Sequence, residues 1–446
     1  MAVLRDGRRS PSAGPATGRT HLQTKLMLAT QIGEGIDGYV IGGIGMAMAA
    51  ITADLHLSVL MQGLIGASPL IGIFLGGPLF GWLADRIGRR PVFLADMLIF
   101  LVGSVLQFFV ADGLQLFLIR LVMGIAIGGE YAIGAPLLSE YAPRRNRGRL
   151  LASLEVSWYV GYALATVVGA LLADMDGGWR WSLASSAVIA LVCVALRGGV
   201  PESARWLLSK GRRAEAEELI AKYDIEVDVE TEVADGGQRG SFRALFSRRH
   251  LRSTLFASTF WACLVLPYFA IGTFWTPVFQ ALGMADNAAL SLIVYSATAV
   301  LGVAAGCLVV DRIGRRKLLI PPFWITAGCL ALVAVWPKST AVIVVGFLFF
   351  IFLNAASSAL TAVYPLEVFP TSIRTTGVGF ATAMSRIGAA IGTFLLPMGL
   401  ERFGIEFVLL VGAGVLALGG IVSQFLAPET TDLDLAQASR LARTDD

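Results

Sequence analysis

The charged residues and turn signals of this sequence leave about twelve continuous apolar stretches between them. Each is near the roughly 20 residues that a helix needs to cross about 30 Å of bilayer hydrocarbon. Because 56% of the residues are hydrophobic, one soluble core could not bury them all. The stretches are continuously apolar rather than alternating, so they predict membrane-spanning helices and exclude a β-barrel.

The predicted spans fall into two sets of six. Spans one to six cover 26–51, 59–83, 92–110, 114–138, 150–173 and 179–200. Spans seven to twelve cover 254–282, 289–310, 318–336, 341–364, 377–400 and 407–427. The predicted fold class is therefore an all-α membrane protein with twelve transmembrane helices in two six-helix halves.

The hexapeptide DRIGRR occurs twice, at 85–90 and 311–316, half a chain apart (311 − 85 = 226). It follows the second span of each half, so the halves are predicted to be parallel repeats about an axis along the membrane normal. The predicted domains are an N-terminal tail (1–25), the first half (26–200), a linker with amphipathic helices (201–253), the second half (254–427) and a C-terminal tail (428–446).

Lysine and arginine concentrate on one side of the predicted bundle. Both DRIGRR turns, the segment PRRNRGR from Pro143, the N-terminal tail and the linker lie there, and only Lys338 and Arg402 oppose the trend. Basic loops stay inside, so both termini are predicted to be cytoplasmic, in a multi-pass protein of the cell (inner or plasma) membrane. The net charge of +3 does not indicate nucleic acid. The expected partners are the lipid bilayer, a small-molecule substrate and a proton.

Neither a metal site nor an enzyme is indicated. The four cysteines, Cys193, Cys263, Cys307 and Cys329, lie inside apolar stretches without CxxC spacing, which favours neither a disulfide framework nor a metal centre. The sequence contains no recognisable nucleophile and base set and no phosphate-binding loop. We therefore expect neither catalysis nor a cofactor.

Ionisable residues inside the predicted spans are the strongest functional signals, because each costs several kcal/mol in hydrocarbon unless it is paired or hydrated. They are Glu34, Asp37, Arg120, Glu130, Glu155 and Arg386. At about 1.5 Å per residue, Asp37 and Arg120 lie at one depth, near the middle of the bilayer. We predict that they pair and that protonation of Asp37 releases Arg120, the alternative being a permanent salt bridge. Glu130 is interpreted as a structural or gating acid.

Arg386 is relevant to the charge of the substrate. It lies about 18 Å from the basic side, counting 1.5 Å per residue from Arg374. A guanidinium keeps its proton at this depth, so it requires an anion. That anion is either a protein carboxylate, with Glu155 and Asp37 as candidates, or the substrate itself.

Polar and aromatic residues at helical spacing are candidates to line a substrate cavity. They are Glu155, Trp158 and Tyr162 on span five, Trp261, Tyr268 and Trp275 on span seven, and Asn354, Ser358 and Thr361 on span ten. The alternative roles are packing, an interfacial aromatic belt and hydrogen bonding between helices.

Five motifs occur in order along nearly the whole chain: GWLADRIGRR, SEYAPRRNRGRL, PESARWL, LEVFPTSIR and PETT. Together they resemble the major facilitator superfamily, and more narrowly its sugar-porter and organic-ion-transporter relatives. The resemblance implies an alternating-access carrier, usually monomeric, with a charged gate on the cytoplasmic side that stabilises the outward-facing state. The matching gate residues are Asp85, Arg89, Arg90, Glu140, Arg147, Asp311, Arg315, Arg316, Glu367 and Arg374. Topology alone is the alternative explanation of these charges.

The same resemblance assigns roles to individual residues. GIDGYVIGG at 35–43 is similar to the first-span motif of proton-coupled sugar porters, whose acid falls on Asp37, and RLVMGIAIGG places its partner on Arg120. EGID also resembles the paired-acid DGFD motif of aromatic-acid proton symporters, which adds Glu34. FATAMSRIG resembles the eleventh span of organic-anion carriers, where an arginine contacts the ligand. The span-seven and span-ten signatures of sugar porters are missing.

These patterns favour a proton symporter for a small organic metabolite, with a carboxylate as the leading class. A sugar or polyol proton symporter and a proton-coupled drug or metabolite exporter are the alternatives. A non-transporting sensor is disfavoured because the tail after Pro428 is short.

Overall fold

The structure, a computed structural model, describes residues 16–141, 147–223, 242–284, 288–370 and 373–430. The side chains of Glu140, Arg147 and Asp311 lie outside the described part. Within these ranges the regular elements are all helices and no strand occurs. Lipid offers no hydrogen bonds, so a helix satisfies the backbone of each span internally. The predicted all-helical membrane fold is confirmed.

Twelve spans follow from the helix bounds. Spans one to six are Ala16–Asp54, Val59–Ile87, Arg89–Leu106, Gly113–Tyr141, Arg147–Leu172 and the pair Gly178–Ala184 with Ser186–Arg197. Spans seven to ten are the pair Arg248–Thr273 with Trp275–Ala281, then Ala288–Ile313, Arg315–Val335 and Thr340–Val368. Arg374–Leu426 contains spans eleven and twelve, separated where Gly404 takes φ 81° and ψ 175°.

Each DRIGRR segment contains a one-residue turn between two helices. Span two ends at Ile87 and span three begins at Arg89, with Gly88 between them at φ 109°. In the second half Gly314 takes φ 95° at the equivalent place. A side chain is strained in this part of conformational space, so the glycine of the motif permits the turn.

The DRIGRR turns and the linker lie on the same side of the bundle, which we call the linker side. The linker begins with helices Ala204–Ser209 and Arg213–Tyr223. Trp206 on the first of them donates a 3.2 Å hydrogen bond from Nε1 to the backbone oxygen of Asp85. The linker therefore contacts the turn between spans two and three.

Small residues allow close helix crossings. A Cβ atom on Gly72 of span two would lie 2.7 Å from the Cα atom of Gly124 on span four. In the second half, a Cβ on Gly302 of span eight would lie 3.1 Å from the Cβ of Ala355 on span ten. Packing of this kind associates helices in lipid, where apolar surface alone gives no driving force.

The two halves meet closely on the side opposite the linker. A Cβ on Gly63 of span two would lie 2.5 Å from the backbone oxygen of Phe394 on span eleven, and one on Gly66 would lie 3.0 Å from Cγ2 of Thr273. Thr276 Oγ1 also donates to the backbone oxygen of Gly45 at 3.4 Å. These contacts bring spans one and two against spans seven and eleven and close the bundle there.

Candidate functional site

A cavity of about 270 Å³ lies between the two halves. Spans one, four and five of the first half and spans seven, ten and eleven of the second half form its wall. The predicted residues that it brings together are Glu34, Glu155, Trp158, Trp261, Tyr268, Asn354, Ser358, Thr361 and Arg386. Leu366 and Thr382, near the linker-side ends of spans ten and eleven, also line it. The cavity therefore extends toward the linker side.

Arg386 lies in the cavity wall and is 8% exposed. Its guanidinium carbon lies 5.1 Å from the ring centroid of Tyr131 and 5.9 Å from that of Phe269, which are cation–π distances. Among the described side chains, no carboxylate lies within 4.0 Å of it, and its Nε has no hydrogen-bond partner. Neither Glu155 nor Asp37 therefore forms an ion pair with Arg386 here, and the choice between a protein carboxylate and the substrate as its anion stays a prediction.

Glu34 and Glu155 line the cavity from spans one and five. The positive charge of Arg386 acts on both carboxyl groups, and the charge of Glu155 acts on Glu34. One cation and two carboxyl groups thus share a small enclosed volume without forming a closed ion pair. A ligand or a proton can change the charge balance of such a site.

Asp37 is fully buried, and neither of its carboxylate oxygens has a hydrogen-bond partner. The predicted ion pair with Arg120 does not form. Arg120 instead donates to Gln107 Oε1 at 3.3 Å and to the backbone oxygen of Val40 at 3.1 Å. Equal depth does not ensure contact, because the direction in which each helix presents its side chain also decides the neighbour.

Arg197 forms a buried ionic cluster that the sequence analysis missed. At the end of span six it binds Asp96 Oδ1 at 2.8 Å and Glu130 Oε2 at 2.5 Å, and all three side chains have no exposed surface. It also donates to the backbone oxygen of Phe93 at 2.6 Å and stacks over that ring. Glu130, interpreted as a structural or gating acid, is therefore one of two carboxylates on a single arginine.

A signal for this cluster was present in the sequence. Asp96 lies inside the apolar stretch of span three, and the rule that identified the other buried acids also applies to it. Arg197 gave no comparable signal, since a basic residue at the end of a span is typical of the membrane surface.

Only some of the predicted aromatic residues line the cavity. Trp158, Trp261 and Tyr268 line the cavity. Tyr162 does not line it but packs against Trp158, with ring centroids 5.7 Å apart. Trp275 lies elsewhere, next to Tyr295, and donates from Nε1 to Ser291 Oγ at 3.0 Å. The helix breaks at Phe274 (φ −112°, ψ 35°), so the seven-residue spacing does not keep Trp275 on the cavity face, and its assignment to the site is wrong.

The polar stripe of span ten uses its donors within the protein. Asn354 Nδ2 donates to the backbone oxygen of Leu264 at 3.0 Å. Ser358 and Thr361 donate to backbone oxygens of their own helix at 2.8 and 2.7 Å. To a ligand these side chains therefore offer mainly acceptor lone pairs.

The described gate residues of the second half form contacts within that half. Arg315 binds Glu367 at 2.9 Å, and Arg316 donates to the backbone oxygen of Gln424 at 3.0 Å, all in the second half. Arg374 donates to the backbone oxygen of Phe369 at 3.2 Å, while Asp85 and Arg90 are exposed. The gate assignment stays a prediction, since it concerns another state of the bundle.

In the part of the chain that the structure describes, no three His, Cys, Asp or Glu side chains are arranged to bind a metal ion. None of the four cysteines forms a disulfide, and all are at least partly buried. The site therefore consists of arginine, carboxyl, aromatic and neutral polar groups.

Comparison with known proteins gives consistent matches over nearly the full length. The family described as sugar (and other) transporter matches residues 26–442. The inner membrane metabolite transport protein YgcS of Escherichia coli K12 is 40% identical over 407 residues, covering 91% of each chain. The niacin transporter NiaP of Acinetobacter baylyi is 28% identical over 418 residues, covering 91% of this chain and 94% of that one.

A solved structure shares the fold. The inward-open conformation of the xylose transporter XylE from E. coli matches with a TM-score of 0.79 and 19% identity, covering 94% of this chain and 99% of that one. A second structure of that protein, described as a proton:xylose symporter, matches with a TM-score of 0.75 and 21% identity over 95% and 99% of the chains.

Proposed function

The chain belongs to the sugar (and other) transporter family of the major facilitator superfamily, and from that premise we propose that it carries a small organic anion together with a proton. Members of this family are transporters and not enzymes. The solute and the proton would bind in the central cavity, and the two halves would rock about it to give alternating access.

The observation that carries the proposal is Arg386. A guanidinium buried in a cavity wall, without a carboxylate in ion-pair contact among the described residues, attracts an anionic ligand. Two charge-assisted hydrogen bonds from its fork would fix a carboxylate in one orientation. The rings of Tyr131 and Phe269 flank the cation and would limit where the ligand can bind.

The rest of the lining favours an acid with an aromatic or otherwise flat body. Trp158, Tyr268 and Phe269 form one aromatic cluster along the wall, with ring centroids 5.3 to 6.2 Å apart. The named relative NiaP is a niacin transporter, and niacin is an aromatic carboxylic acid. The acceptors of the span-ten stripe would also suit the hydroxyl groups of a sugar or polyol, so the choice of an acid rests on Arg386 and the aromatic rings.

Proton coupling is supported by the carboxyl groups near the ligand. Glu34 and Glu155 face the cavity of Arg386, and the fully buried Asp37 lies one helical turn from Glu34 on span one. A proton taken up by this set would offset the charge of an entering anion. The arginine distribution supports a cytoplasmic position for the linker side, toward which the cavity extends.

A binding screen tests the substrate class. Purified protein would be heated with panels of monocarboxylic acids, sugars, polyols and amines, and the unfolding midpoint would be recorded. We expect aromatic and other small carboxylates to raise the midpoint, because a ligand that binds only the folded state stabilises it. Stabilisation by sugars or polyols alone would contradict the proposal.

Proton coupling is tested in proteoliposomes that contain a pH-sensitive dye. The best acid of the screen should acidify the lumen as it enters, and an imposed proton gradient should drive its accumulation. Asp37→Asn should abolish accumulation while counterflow of labelled solute continues. Accumulation by Asp37→Asn equal to that of the wild type would contradict the role given to Asp37.

A further inference from the structure

Behind the cavity wall of the first half, Arg197 binds two buried carboxyl groups, and their charges act on a third buried acid. Asp37, Asp96 and Glu130 come from spans one, three and four, and Arg197 comes from span six. We propose that this Arg197 cluster, rather than an Asp37–Arg120 pair, is the site that binds the transported proton. The proposal rests on the proton symport proposed above and assigns its proton-binding residues.

The charge balance of the cluster requires a proton. One guanidinium faces Asp96 at 2.8 Å and Glu130 at 2.5 Å, and the fully buried Asp37 adds a third acid to the same region. If all three acids were ionised, the buried cluster would carry a net negative charge. An uncompensated buried charge is costly, and here it would be −2 (−3 + 1), so each proton bound by an acid reduces it by one.

The unpaired atoms of the cluster indicate where a proton would bind. Both oxygens of Asp37, Oδ2 of Asp96 and Oε1 of Glu130 are buried without a hydrogen-bond partner. Each ionised carboxylate is only an acceptor, whereas a protonated one supplies an O–H donor to a neighbouring acid. One bound proton can therefore provide a hydrogen bond between two carboxyl oxygens that otherwise lack one.

The cluster adjoins the cavity through Gly33. A Cβ at Gly33 would lie against Glu130 Oε1 and 2.5 Å from a terminal nitrogen of Arg197. The next residue, Glu34, lines the cavity, and the charge of Glu130 acts on it. Span one thus contacts the cluster at Gly33 and lines the cavity with the carboxyl group of the adjacent Glu34.

Other titratable and charged groups lie near Glu34 and the cluster on the neighbouring helices. Glu155 and Arg386 face Glu34 across the cavity, and their charges act on it. Cys193 on span six lies beside Arg197 and donates to the backbone oxygen of Ala29 at 3.4 Å. Glu34 on span one and Tyr131, which follows Glu130 on span four, both line the cavity, and of these two residues Glu34 carries the carboxyl group.

The proton step conserves atoms and charge. Glu34 takes a proton from a hydronium ion in the cavity and leaves a water molecule, and the new O–H bond then breaks as one forms on a carboxylate of the cluster. Glu34 becomes ionised again and the cluster loses one negative charge. Arg197 keeps its proton throughout and stays paired with a carboxylate of the cluster that remains ionised.

Infrared difference spectroscopy tests the cluster without any solute. Purified protein in phosphatidylcholine–phosphatidylglycerol liposomes would be cycled between acidic and alkaline buffer, and the C=O stretching band of protonated carboxyl groups recorded. We expect Glu130→Gln and Asp96→Asn each to lose part of the wild-type band, and Glu130→Asp to retain it at a shifted frequency. Asp54→Asn is the control, since Asp54 pairs with Arg180 on the opposite side and is 46% exposed. Equal bands in the wild type and both neutral variants would overturn the proposal.

A flux measurement separates this inference from the function on which it rests. In dye-loaded proteoliposomes the probe is the acid that gave the largest thermal shift. We expect the wild type to couple its uptake to proton uptake, and Glu130→Gln to carry the acid without protons. Coupled uptake by Glu130→Gln would overturn the cluster but leave symport intact. Wild-type uptake without proton movement would overturn both, whatever the infrared result.

Discussion

Glu202 accepts a 2.9 Å hydrogen bond from the backbone N–H of Arg89, 113 residues earlier in the chain. Glu429 accepts one of 3.0 Å from the backbone N–H of Arg315, 114 residues earlier. Each glutamate also accepts from the next backbone N–H group. The acids of PESARWL and PETT therefore cap the helices that follow the two DRIGRR turns, and the internal repeat includes the cap as well as the turn.

Removing either cap should destabilise the protein by a similar amount. An acid at a helix N-terminus pairs with free N–H groups and with the helix dipole. We expect Glu202→Gln and Glu429→Gln each to cost about 0.5–2 kcal/mol, measured as a lower unfolding midpoint of purified protein in detergent.

Glu217→Gln is the matched control for the caps. Glu217 pairs with Arg213 on the linker helix at 2.7 Å, but its side chain is 54% exposed. Exposed pairs contribute about 0–1 kcal/mol, so the midpoint should hardly move. A loss in Glu217→Gln as large as in the cap variants would contradict the capping role.

Two glycines of span one should respond oppositely to alanine. A Cβ at Gly33 meets the Glu130–Arg197 ion pair, whereas one at Gly43 has its nearest neighbour at 3.7 Å, an ordinary contact. Gly33→Ala should therefore cost about 1–3 kcal/mol by overpacking. Gly43→Ala should gain about 0.5–1 kcal/mol from helix propensity, and thermal unfolding of both variants checks the difference.

Arg386→Ala should weaken binding of an anionic solute without unfolding the protein. A hydrogen bond to a charged group contributes about 1.5–3 kcal/mol, which corresponds to roughly 10- to 150-fold in affinity. Affinity would be measured by titrating the protein with the acid identified by screening and recording the unfolding midpoint at each concentration. Arg402→Ala, at an exposed position beyond span eleven, is the control, and unchanged affinity in Arg386→Ala would remove the argument for an anion.

The Arg197 cluster predicts strongly non-additive stability effects. Asp96→Asn or Glu130→Gln alone leaves Arg197 with one carboxylate, so each should change stability by less than about 1 kcal/mol. The double variant leaves a buried cation unpaired and should cost about 3–5 kcal/mol. A double-mutant cycle from unfolding midpoints checks this, and additive losses would mean that the acids act independently.

The sequence was sufficient for those features that depend on local physical properties. Length and hydrophobicity predicted the spans, because each segment must satisfy the requirements of the bilayer by itself. The repeated DRIGRR predicted the division into halves. Buried charge also identified Glu34, Glu155 and Arg386, which do meet in one cavity.

The partners of the buried charges were decided by the tertiary structure. Counting residues along a helix gives the depth of Asp37 and Arg120 but not the direction in which each side chain points. Arg120 therefore contacts Gln107 and Val40, while Arg197, at the end of its span, reaches two acids on other helices. The break at Phe274 likewise moved Trp275 off the cavity face. Depth is a property of one helix, whereas contact depends on how several helices rotate and cross.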